Sequence, residues 1–353
     1  MIAVLVIVAA LVIAFMILTH ELGHYFAAKA LGVKVLQFSV GFGPEIAGWD
    51  RGETRYSLKW ILAGGSVKIL GMNPDQEVSR EEFPRSYYGV PHWKRAIIVL
   101  AGSLVHLIIA FIFFYLVFWP VGYQEPTGRI GEVQKKVEVS KGEKVASPAS
   151  LAGLKKGDLV VEVDGVKTGS WIELQKALSE RPGERVDLKV KRGGSLLNLR
   201  TTLLDVKGRG ILGVVVDARD TFTRRSNPVS AVWQAARLSG QLLANLFRGL
   251  TSLFSLKTLK MLLGVSPRGE DSPRSVVGAA QYAMQAAAEG PAVFMVVMGY
   301  LFLFLAIFNL LPIPPFDGGF LLVIIVEKLF KKTIDIKKLV PVAWAVIIIL
   351  VVV

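Results

Sequence analysis

The stretch HELGH at residues 20–24 combines residue types that can bind a metal ion and activate water. His20 and His24 are four positions apart, so on a helix both imidazoles lie on one face and can reach one cation. Glu21 is placed to take a proton from water on that cation, which is the arrangement of a hydrolytic zinc site. The alternative is that His20 and Glu21 only cap a helix end. We expect Zn²⁺ as cofactor, with His20 and His24 as ligands and Glu21 as the base.

An apolar run leads directly into this motif and makes its polar groups costly. Residues 2–18 contain no polar side chain. Ionisable groups inside a membrane segment are rare and mark functional sites by default, and they are tolerated when they are paired with opposite charge. Two neutral imidazoles and a carboxylate beside a cation meet that condition, whereas three capping groups without a cation do not. The pattern therefore favours a metal site.

A third ligand is needed, because catalytic zinc has three protein ligands and one open position. The best candidate is Asp317, in the stretch NLLPIPPFDGG at residues 309–319. The prolines of this stretch cannot continue a helix, and a carboxylate after such a break can line a buried site. Taken alone, Asp317 could equally be the N-cap of a helix over residues 320–330. With HELGH in the same chain, we expect Asp317 to be a ligand.

The composition places the chain in the membrane class and excludes several chemistries. Of its 353 residues, 52% are hydrophobic, and the mean hydropathy is +0.50. Cysteine is absent, which excludes disulfides, thiol catalysis and thiolate metal ligands. The net charge of +13 is typical of cytoplasmic loops rich in Lys and Arg. No basic stretch with interleaved aromatics stands out, so we expect no nucleic-acid partner.

Four segments are apolar enough to predict transmembrane helices, which need about 20 residues. They are residues 1–31 with HELGH, 95–119, 291–330 together with a following helix, and 339–353. The last segment is short for a hydrocarbon core of about 30 Å, which predicts that the chain is truncated there or that the helix begins earlier. Cleavage of the first segment as a signal peptide is disfavoured, because it has no basic region before a long apolar run.

Basic residues in the short link before the last segment predict the orientation in the membrane. Five lysines lie there: Lys328, Lys331, Lys332, Lys337 and Lys338. They place the link in the cytoplasm, and counting spans backwards places residues 32–94 inside and residues 120–290 outside. The N-terminus is then outside the cytoplasm, and His20 lies about 28 Å along the first helix, near the cytoplasmic face.

Residues 125–205 have the composition of a soluble domain, because they are charged, rich in glycine and only moderately apolar. Their pattern predicts a strand and turn at 160–165, a short helix at 170–178 and a strand at 186–190. The stretch SPASLAGLKKGDLVVEVDGV at 147–166 resembles the carboxylate-binding loop and following strand of PDZ domains. That resemblance implies a groove that takes a peptide C-terminus or an extended segment as an added strand.

Two further regions are predicted to lie near the membrane surface. Residues 32–94 are expected to be β-rich, with strands at 54–60 and 65–70. Residues 228–256 predict an amphipathic helix with one polar stripe, which suits the outer membrane interface. A fifth span is less favoured there, because Arg237 and Arg248 would lie at depth.

Two motifs together resemble the site-2 proteases, which are intramembrane zinc metalloproteases. They are HELGH in the first span and N-x-x-P-x-x-x-x-D-G-G in a later one. The resemblance is closest to the bacterial regulator-of-sigma-E protease group, and further stretches extend it over most of the chain. These are FSVGFGP at 38–44, LAGGSVKILGM at 62–72, which is similar to a membrane-associated β-hairpin, and WKRAIIVLAG at 93–102.

The family resemblance implies roles for particular residues. It implies His20, His24 and Asp317 as zinc ligands, Glu21 as the catalytic base and Asn309 as a residue that holds the substrate backbone. It also implies a multi-pass protein of the bacterial inner membrane. Its substrates would be single-span proteins such as anti-sigma factors or remnant signal peptides.

One departure from the family concerns the second span. Where the family often has Gly-Pro-x-x-Asn, this chain has Gly102, Ser103 and His106. A lone histidine in an apolar helix is usually hydrogen-bonded within the protein. The other possibility is that His106 lies near the site and tunes a proton, and we do not expect it to be a ligand.

The expected fold is an α-helical membrane protein with about four transmembrane helices, a membrane-associated β-hairpin region and one inserted PDZ-like α+β domain. The expected function is zinc-dependent cleavage of the transmembrane segment of a single-span protein within the lipid bilayer. Two alternatives stay open: a membrane-anchored zinc peptidase of soluble peptides, and a catalytically silent scaffold that uses its PDZ-like groove. HELGH lies at the end of a span and not in a soluble domain, which disfavours the peptidase.

Overall fold

The computed structural model describes residues 2–352, except for 74, 141–142, 254–288, 333 and 335. It divides into two compact units. One unit joins Met1–Val121 to Asn227–Val353, and the other is the intervening Gly122–Ser226. The second unit is therefore an insertion in the first.

Helix α1 (Ile2–Ala30) carries HELGH, and a long hairpin follows it, built from β1 (Val35–Arg51) and β2 (Thr54–Ile69). The hairpin curls on itself, because residues 37–40 of β1 pair with 55–58 of β2 on one edge and with 65–68 on the other. The predicted strands at 54–60 and 65–70 thus belong to one continuous β2, which bends around β1.

The hairpin also exposes large apolar side chains: Phe42, Ile46, Trp49, Trp60, Ile61 and Leu62. Several exposed apolar side chains on one hairpin indicate a surface that contacts lipid or another protein. The base of the hairpin is buried instead, with Val35, Phe38 and Ile69 each less than a tenth exposed. The hairpin is therefore buried at Val35, Phe38 and Ile69 and exposes apolar side chains elsewhere.

Helix α2 (His92–Leu116) follows the hairpin and ends in a π turn, Val117–Val121. It is the central helix of the first unit, because it packs against α1 and against three later helices. Ile98 and Val99 of α2 belong to one buried cluster with Val35 and Ile69 of the hairpin and Ala28 of α1. Arg95 of α2 is also buried, and its charged partner is described below.

The inserted unit is made of short strands and two short helices. In chain order these are β3 (Tyr123–Pro126), β4 (Ile130–Val133), β5 (Lys136–Ser140), β6 (Glu143–Ala146), α3 (Pro148–Leu151), β7 (Leu159–Val163), β8 (Val166–Lys167), α4 (Trp171–Ser179), β9 (Arg185–Arg192), β10 (Ser195–Thr202), β11 (Leu204–Asp205), β12 (Gly210–Ile211), β13 (Val214–Val216) and β14 (Thr221–Arg224). The predicted strand at 160–165, helix at 170–178 and strand at 186–190 correspond to β7, α4 and β9, so these three elements are confirmed.

The largest sheet of this unit is antiparallel and has the strand order β10-β9-β7-β8. Its inward residues form one apolar core with α4, which includes Val160, Leu174 and Leu188. Helix α4 begins at an N-cap, Ser170, whose hydroxyl accepts the N–H of Glu173. Strands β13 and β14 pair back with β4 and β3, so the two ends of the unit close together.

The chain then returns to the first unit with α5 (Pro228–Leu253), α6 (Pro291–Asn309), α7 (Asp317–Phe330) and α8 (Val340–Val352). Helix α5 lies where the amphipathic helix was predicted, and residues 254–256 of that prediction fall outside the described residues. Its apolar side packs with α2 and α6 around Phe302. Phe114 of α2 lies directly over Gly299 of α6, where a Cβ would come within 2.5 Å of its ring.

Three described helices are long and apolar enough to cross a membrane: Ala10–Ala30, His92–Val121 and Pro291–Asn309. They correspond to three of the four spans that the sequence predicts. The fourth, at 339–353, corresponds to α8, which has 13 residues and remains a prediction as a span.

A buried ion pair joins α2 to α7. Arg95 and Glu327 are 2.8 Å apart, and their side chains are 4% and 2% exposed. The guanidinium of Arg95 also stacks on the rings of Tyr87 and Tyr88, while Glu327 accepts the N–H of Ile334. Because breaking a buried pair leaves an uncompensated charge, this contact fixes which faces of α2 and α7 meet.

A second charged contact stabilises the inserted unit and makes its stability depend on pH. The carboxylate of Asp158, 1% exposed, accepts two hydrogen bonds of 2.7 Å from Arg192 and one from the N–H of Lys155. Burial raises the pKa of Asp158, but these hydrogen bonds outweigh burial and leave the pKa below its usual value.

Asp158→Asn is expected to lower the free energy of unfolding of the inserted unit by about 2 kcal/mol at pH 7, because it removes charged hydrogen bonds. In the wild type, this contribution is present above the unfolded pKa of about 3.9 and is lost as pH falls through the lower folded pKa. Hydrogen exchange of amides in β7 and β9, measured in urea at pH 7 and pH 3, tests both statements.

Asp187→Asn removes an exposed partner of Arg200 and is the matched control, with a much smaller loss of unfolding free energy expected. Equal losses for the two variants would contradict the prediction.

Candidate metal centre

The first two helices are antiparallel and meet at three points that repeat every four residues. The C=O of Ile98 accepts a 2.8 Å hydrogen bond from His24 Nδ1, and the C=O of Met16 accepts one of 2.9 Å from His106 Nε2. Between these contacts, the ring of His20 lies against Gly102. Steps of four residues keep one face of a helix in contact, so α2 supports this face of α1 along its length.

Glycines make the close approach possible. A Cβ at Gly102 would lie 2.5–2.7 Å from three atoms of the His20 ring, and a Cβ at Gly23 would lie 2.6 Å from the C=O of Ala101. Small residues at helix crossings inside membranes allow the two backbones to approach in the same way. The glycine of HELGH is therefore part of the site, because it sets the distance between the two helices.

Asp317 reaches the same place from the turn between α6 and α7. It is the first residue of α7, and the residue before it, Phe316, is the N-cap. The N-cap role for Asp317 is therefore wrong in this structure. The two glycines after it pack against the turn, since a Cβ at Gly318 would lie 2.2 Å from the C=O of Leu310 and one at Gly319 would lie 2.6 Å from the nitrogen of Pro314.

Three ligand atoms converge at the centre. His20 Nε2 and His24 Nε2 are 3.1 Å apart, and Asp317 Oδ2 is 3.0 Å from the first and 3.4 Å from the second. Nitrogen and oxygen atoms bound at about 2.0–2.1 Å from zinc at tetrahedral angles lie about 3.3 Å from one another. The observed triangle therefore matches three corners of a zinc tetrahedron.

The hydrogen bonds around these atoms also fit a cation. Since His24 Nδ1 donates to a carbonyl, Nε2 of the neutral ring carries a lone pair with no hydrogen. That lone pair faces His20 Nε2 and the carboxylate of Asp317, and Asp317 Oδ2 has no hydrogen-bond donor among the described residues. Three electron-rich atoms at this spacing repel one another unless a positive ion lies between them. The donor set thus fits zinc, and the C=O of Ile98 orients the ring of His24.

Glu21 is held by the hairpin. Its carboxylate accepts a 2.9 Å hydrogen bond from the N–H of Val67, in β2. This N–H lies on the outer edge of the 65–69 segment, with which no described strand pairs. The glutamate is next to His20 in the chain, so the hairpin orients an acidic group beside the ligand cluster.

The other two residues singled out from the sequence, Asn309 and His106, do not belong to the cluster of three ligand atoms. Asn309 is the last residue of α6 and is half-buried, eight positions before Asp317. His106 is 1% exposed and hydrogen-bonded within the protein, as one of its two interpretations predicts. Sequence reasoning missed Val67 and Ile98, because each acts through its backbone and its side chain gives no signal. Gly102 does have a signal, since glycine is unfavourable in the interior of a helix unless packing requires it.

An HExxH helix that faces a carboxylate across such a triangle is the centre of a zinc-dependent hydrolase. A model of peptidase family M50 matches residues 8–353. The chain belongs to this family, the site-2 proteases, so the resemblance stated from the two motifs is confirmed.

Curated relatives agree with this assignment. The chain is 31% identical over 350 residues to the zinc metalloprotease Rip1 of Mycobacterium tuberculosis, a match that covers 92% of this chain and 86% of the relative. It has the same identity and coverage with the zinc metalloprotease Rip1 of Mycobacterium bovis. The chain is a zinc metalloprotease, and the expected zinc cofactor is confirmed.

A solved structure is similar to part of the chain. The PDZ domain of an SdrC-like protein from Listeria innocua is 23% identical, and the match covers 26% of this chain and 93% of that domain. The TM-score is 0.21. Because this score is low, the match does not define the fold of the inserted unit, which is defined by the pairing of its own strands.

Gly102→Ala is expected to displace the ring of His20, because the new Cβ would meet it at 2.5 Å. We expect a loss of bound zinc and a fall in proteolytic activity of at least about tenfold, as when the surroundings of a ligand are disturbed. Zinc content and cleavage rate of the purified variant measure the two effects. Gly240→Ala, in α5, is the matched control, because a Cβ there meets nothing within 4 Å. A Gly102→Ala protein with full zinc content would show that the contact is not needed.

Proposed function

We propose that this chain cleaves transmembrane segments of single-span membrane proteins at a zinc centre formed by His20, His24 and Asp317. One observation carries the proposal: the three ligand atoms lie within 4.8 Å of one another. They come from α1, which contains a candidate membrane span, and from the turn directly after α6, which is another. A protease centre between such helices suits substrates that are themselves in the membrane.

The roles of the residues follow from their contacts. His20, His24 and Asp317 would hold zinc, which when bound supplies a Lewis acid that makes water nucleophilic at neutral pH. Glu21 accepts the proton of the attacking water and returns it to the nitrogen of the leaving amine. The N–H of Val67 holds one oxygen of Glu21, which keeps the carboxylate oriented. Asn309 is proposed to hold the substrate backbone near the turn that carries Asp317.

Cleavage of a helical substrate requires local unwinding, because a helix hides its carbonyls in internal hydrogen bonds. The freed backbone then needs partners, since polar groups left unpaired in a membrane are costly. No described strand pairs with the outer edge of the 65–69 segment, where the N–H of Val67 holds Glu21. We propose that the unwound substrate pairs with this edge as an added strand.

The inserted unit is proposed to be a PDZ-like domain that binds a peptide C-terminus or an extended segment. Strand β13 supports this, because it pairs with β4 on one edge and with no described strand on the other. By the distribution of basic residues, the unit and the N-terminus lie outside the cytoplasm of a bacterial inner membrane, with the zinc centre near the cytoplasmic side. Helix α8 is proposed as part of a fourth span.

Glu21→Gln is expected to keep about one zinc per chain and to slow cleavage of a single-span substrate by about 10²–10⁴-fold, because only the general base is removed. The amide oxygen of glutamine can still accept the N–H of Val67, so the fold is retained. Asp317→Ala is expected to lose both zinc and activity. Zinc content by atomic absorption and cleavage in lipid nanodiscs measure these effects.

Glu81→Gln changes an exposed glutamate far along the chain from HELGH and is the matched control. Cleavage by Glu21→Gln at the wild-type rate would contradict the proposed base. Zinc retained fully by Asp317→Ala would contradict the proposed ligand set. Cleavage of soluble peptides but not of a single-span substrate would favour the alternative of a membrane-anchored peptidase.

A further inference from the structure

Two imidazole nitrogens beside the proposed metal centre have no hydrogen-bond partner among the described residues. They are Nδ1 of His20 and Nδ1 of His106. Both rings are buried, with His20 9% and His106 1% exposed. An unsatisfied polar atom in such a place is unfavourable, so the two atoms together require an explanation.

The hydrogen-bonding types of these two atoms are complementary. His106 Nε2 lies 2.9 Å from the C=O of Met16, which can only accept, so Nε2 carries the hydrogen and Nδ1 of the neutral ring is an acceptor. His20 directs Nε2 towards Asp317 and His24, so Nε2 is the ligand atom and Nδ1 carries the hydrogen. One orphaned nitrogen is therefore a donor and the other an acceptor.

The two rings are also neighbours. Their centroids are 5.0 Å apart and the planes are inclined by 46°. His20 lies against Gly102, and His106 is one helical turn further along the same face of α2. At this separation, a small ring rotation or a single bridging water joins a donor to an acceptor.

We propose that His106 is a positioning residue for the metal centre: its Nδ1 accepts the Nδ1–H of His20, directly or through one water. This contact fixes the tautomer and orientation of His20, as the C=O of Ile98 does for His24. A hydrogen-bond partner that orients a metal ligand in this way contributes about 10–100-fold to metal affinity. The inference rests on the proposed role of His20 as a zinc ligand.

One other group could satisfy the same atoms. The hydroxyl of Ser103 is buried, lies on α2 three residues before His106 and has no partner among the described residues. A hydroxyl both donates and accepts, so Ser103 is the competitor that the experiment must separate from His106. Its removal by Ser103→Ala provides the matched variant.

Two substitutions of His106 test the roles of its two nitrogens separately. In His106→Asn, the amide oxygen takes the place of Nδ1 and keeps an acceptor near His20. In His106→Gln, the amide nitrogen takes the place of Nε2 and keeps the bond to Met16, while no acceptor remains at the Nδ1 position. If His106 acts only through its bond to Met16, the glutamine variant should bind zinc more tightly than the asparagine variant. The proposal predicts the reverse order.

The measurement is the zinc dissociation constant of the full-length protein in nanodiscs, by competition with a chelator of known affinity. We expect His106→Gln to weaken zinc binding by about 10–100-fold. His106→Asn and Ser103→Ala are expected to stay within about threefold of the wild type, a spread below one kcal/mol. Equal affinity for His106→Gln and the wild type would overturn the inference, as would a loss in Ser103→Ala as large as that in His106→Gln.

A second measurement needs no variant of His106 and covers the case in which the substituted proteins fail to fold. The chain has only four histidines, so ¹⁵N-histidine NMR of the zinc-loaded wild type can resolve each ring. Hydrogens on His20 Nδ1 and His106 Nε2, together with a ¹⁵N shift of His106 Nδ1 that shows it accepting a hydrogen bond, support the inference, and a hydrogen on His106 Nδ1 overturns it. If the wild type binds no zinc, or His20→Ala binds it as tightly, the proposed function itself fails, and the two failures are thus distinguishable.

Discussion

The whole site depends on how closely the backbones of α1 and α2 approach each other. In a membrane, helices gain little from burying apolar surface against one another, so close packing of small residues determines the contact. Gly23 meets the carbonyl of Ala101, and Gly102 meets the ring of His20. This proximity brings the carbonyl of Ile98 within reach of His24. The orientation of the imidazoles of His20 and His24 is thus a property of the helix pair and not of the HELGH segment alone.

The second half of the site places a carboxylate directly after non-helical backbone that joins two apolar helices. Such backbone is tolerated inside a membrane only where its polar groups find partners within the protein. The turn between α6 and α7 meets this condition, because the N–H groups of Ile313, Phe316 and Gly319 all donate to carbonyls of the turn itself. Gly318 and Gly319 then allow α7 to start in contact with the turn. Asp317 is therefore presented by a segment that satisfies its own hydrogen bonds.

From the sequence, helical spacing places His20 and His24 on one face and the prolines before Asp317 mark a break, and the structure brings these three side chains together. The sequence also predicts β7, α4 and β9 of the inserted unit from alternation and turn residues. It does not predict the hydrogen bonds that join the backbone of Val67 to Glu21 and the backbone of Ile98 to His24, since backbone groups are the same at every position. The curl of β1 and β2 is also beyond reach, because a period of two identifies a strand without identifying its partners. Long-range contacts of this kind depend on packing.

The ion pair between Arg95 and Glu327 has a consequence for the rigidity of the centre. Arg95 lies three residues before Ile98 on α2, and Glu327 lies ten residues after Asp317 on α7. Helix α7 is thus anchored at two separated points, one at its start and one almost three turns later. A helix held at one point can tilt about that point, whereas contacts at two separated points oppose the tilt. The ion pair therefore helps to hold the start of α7 where the carboxylate of Asp317 faces the two imidazoles.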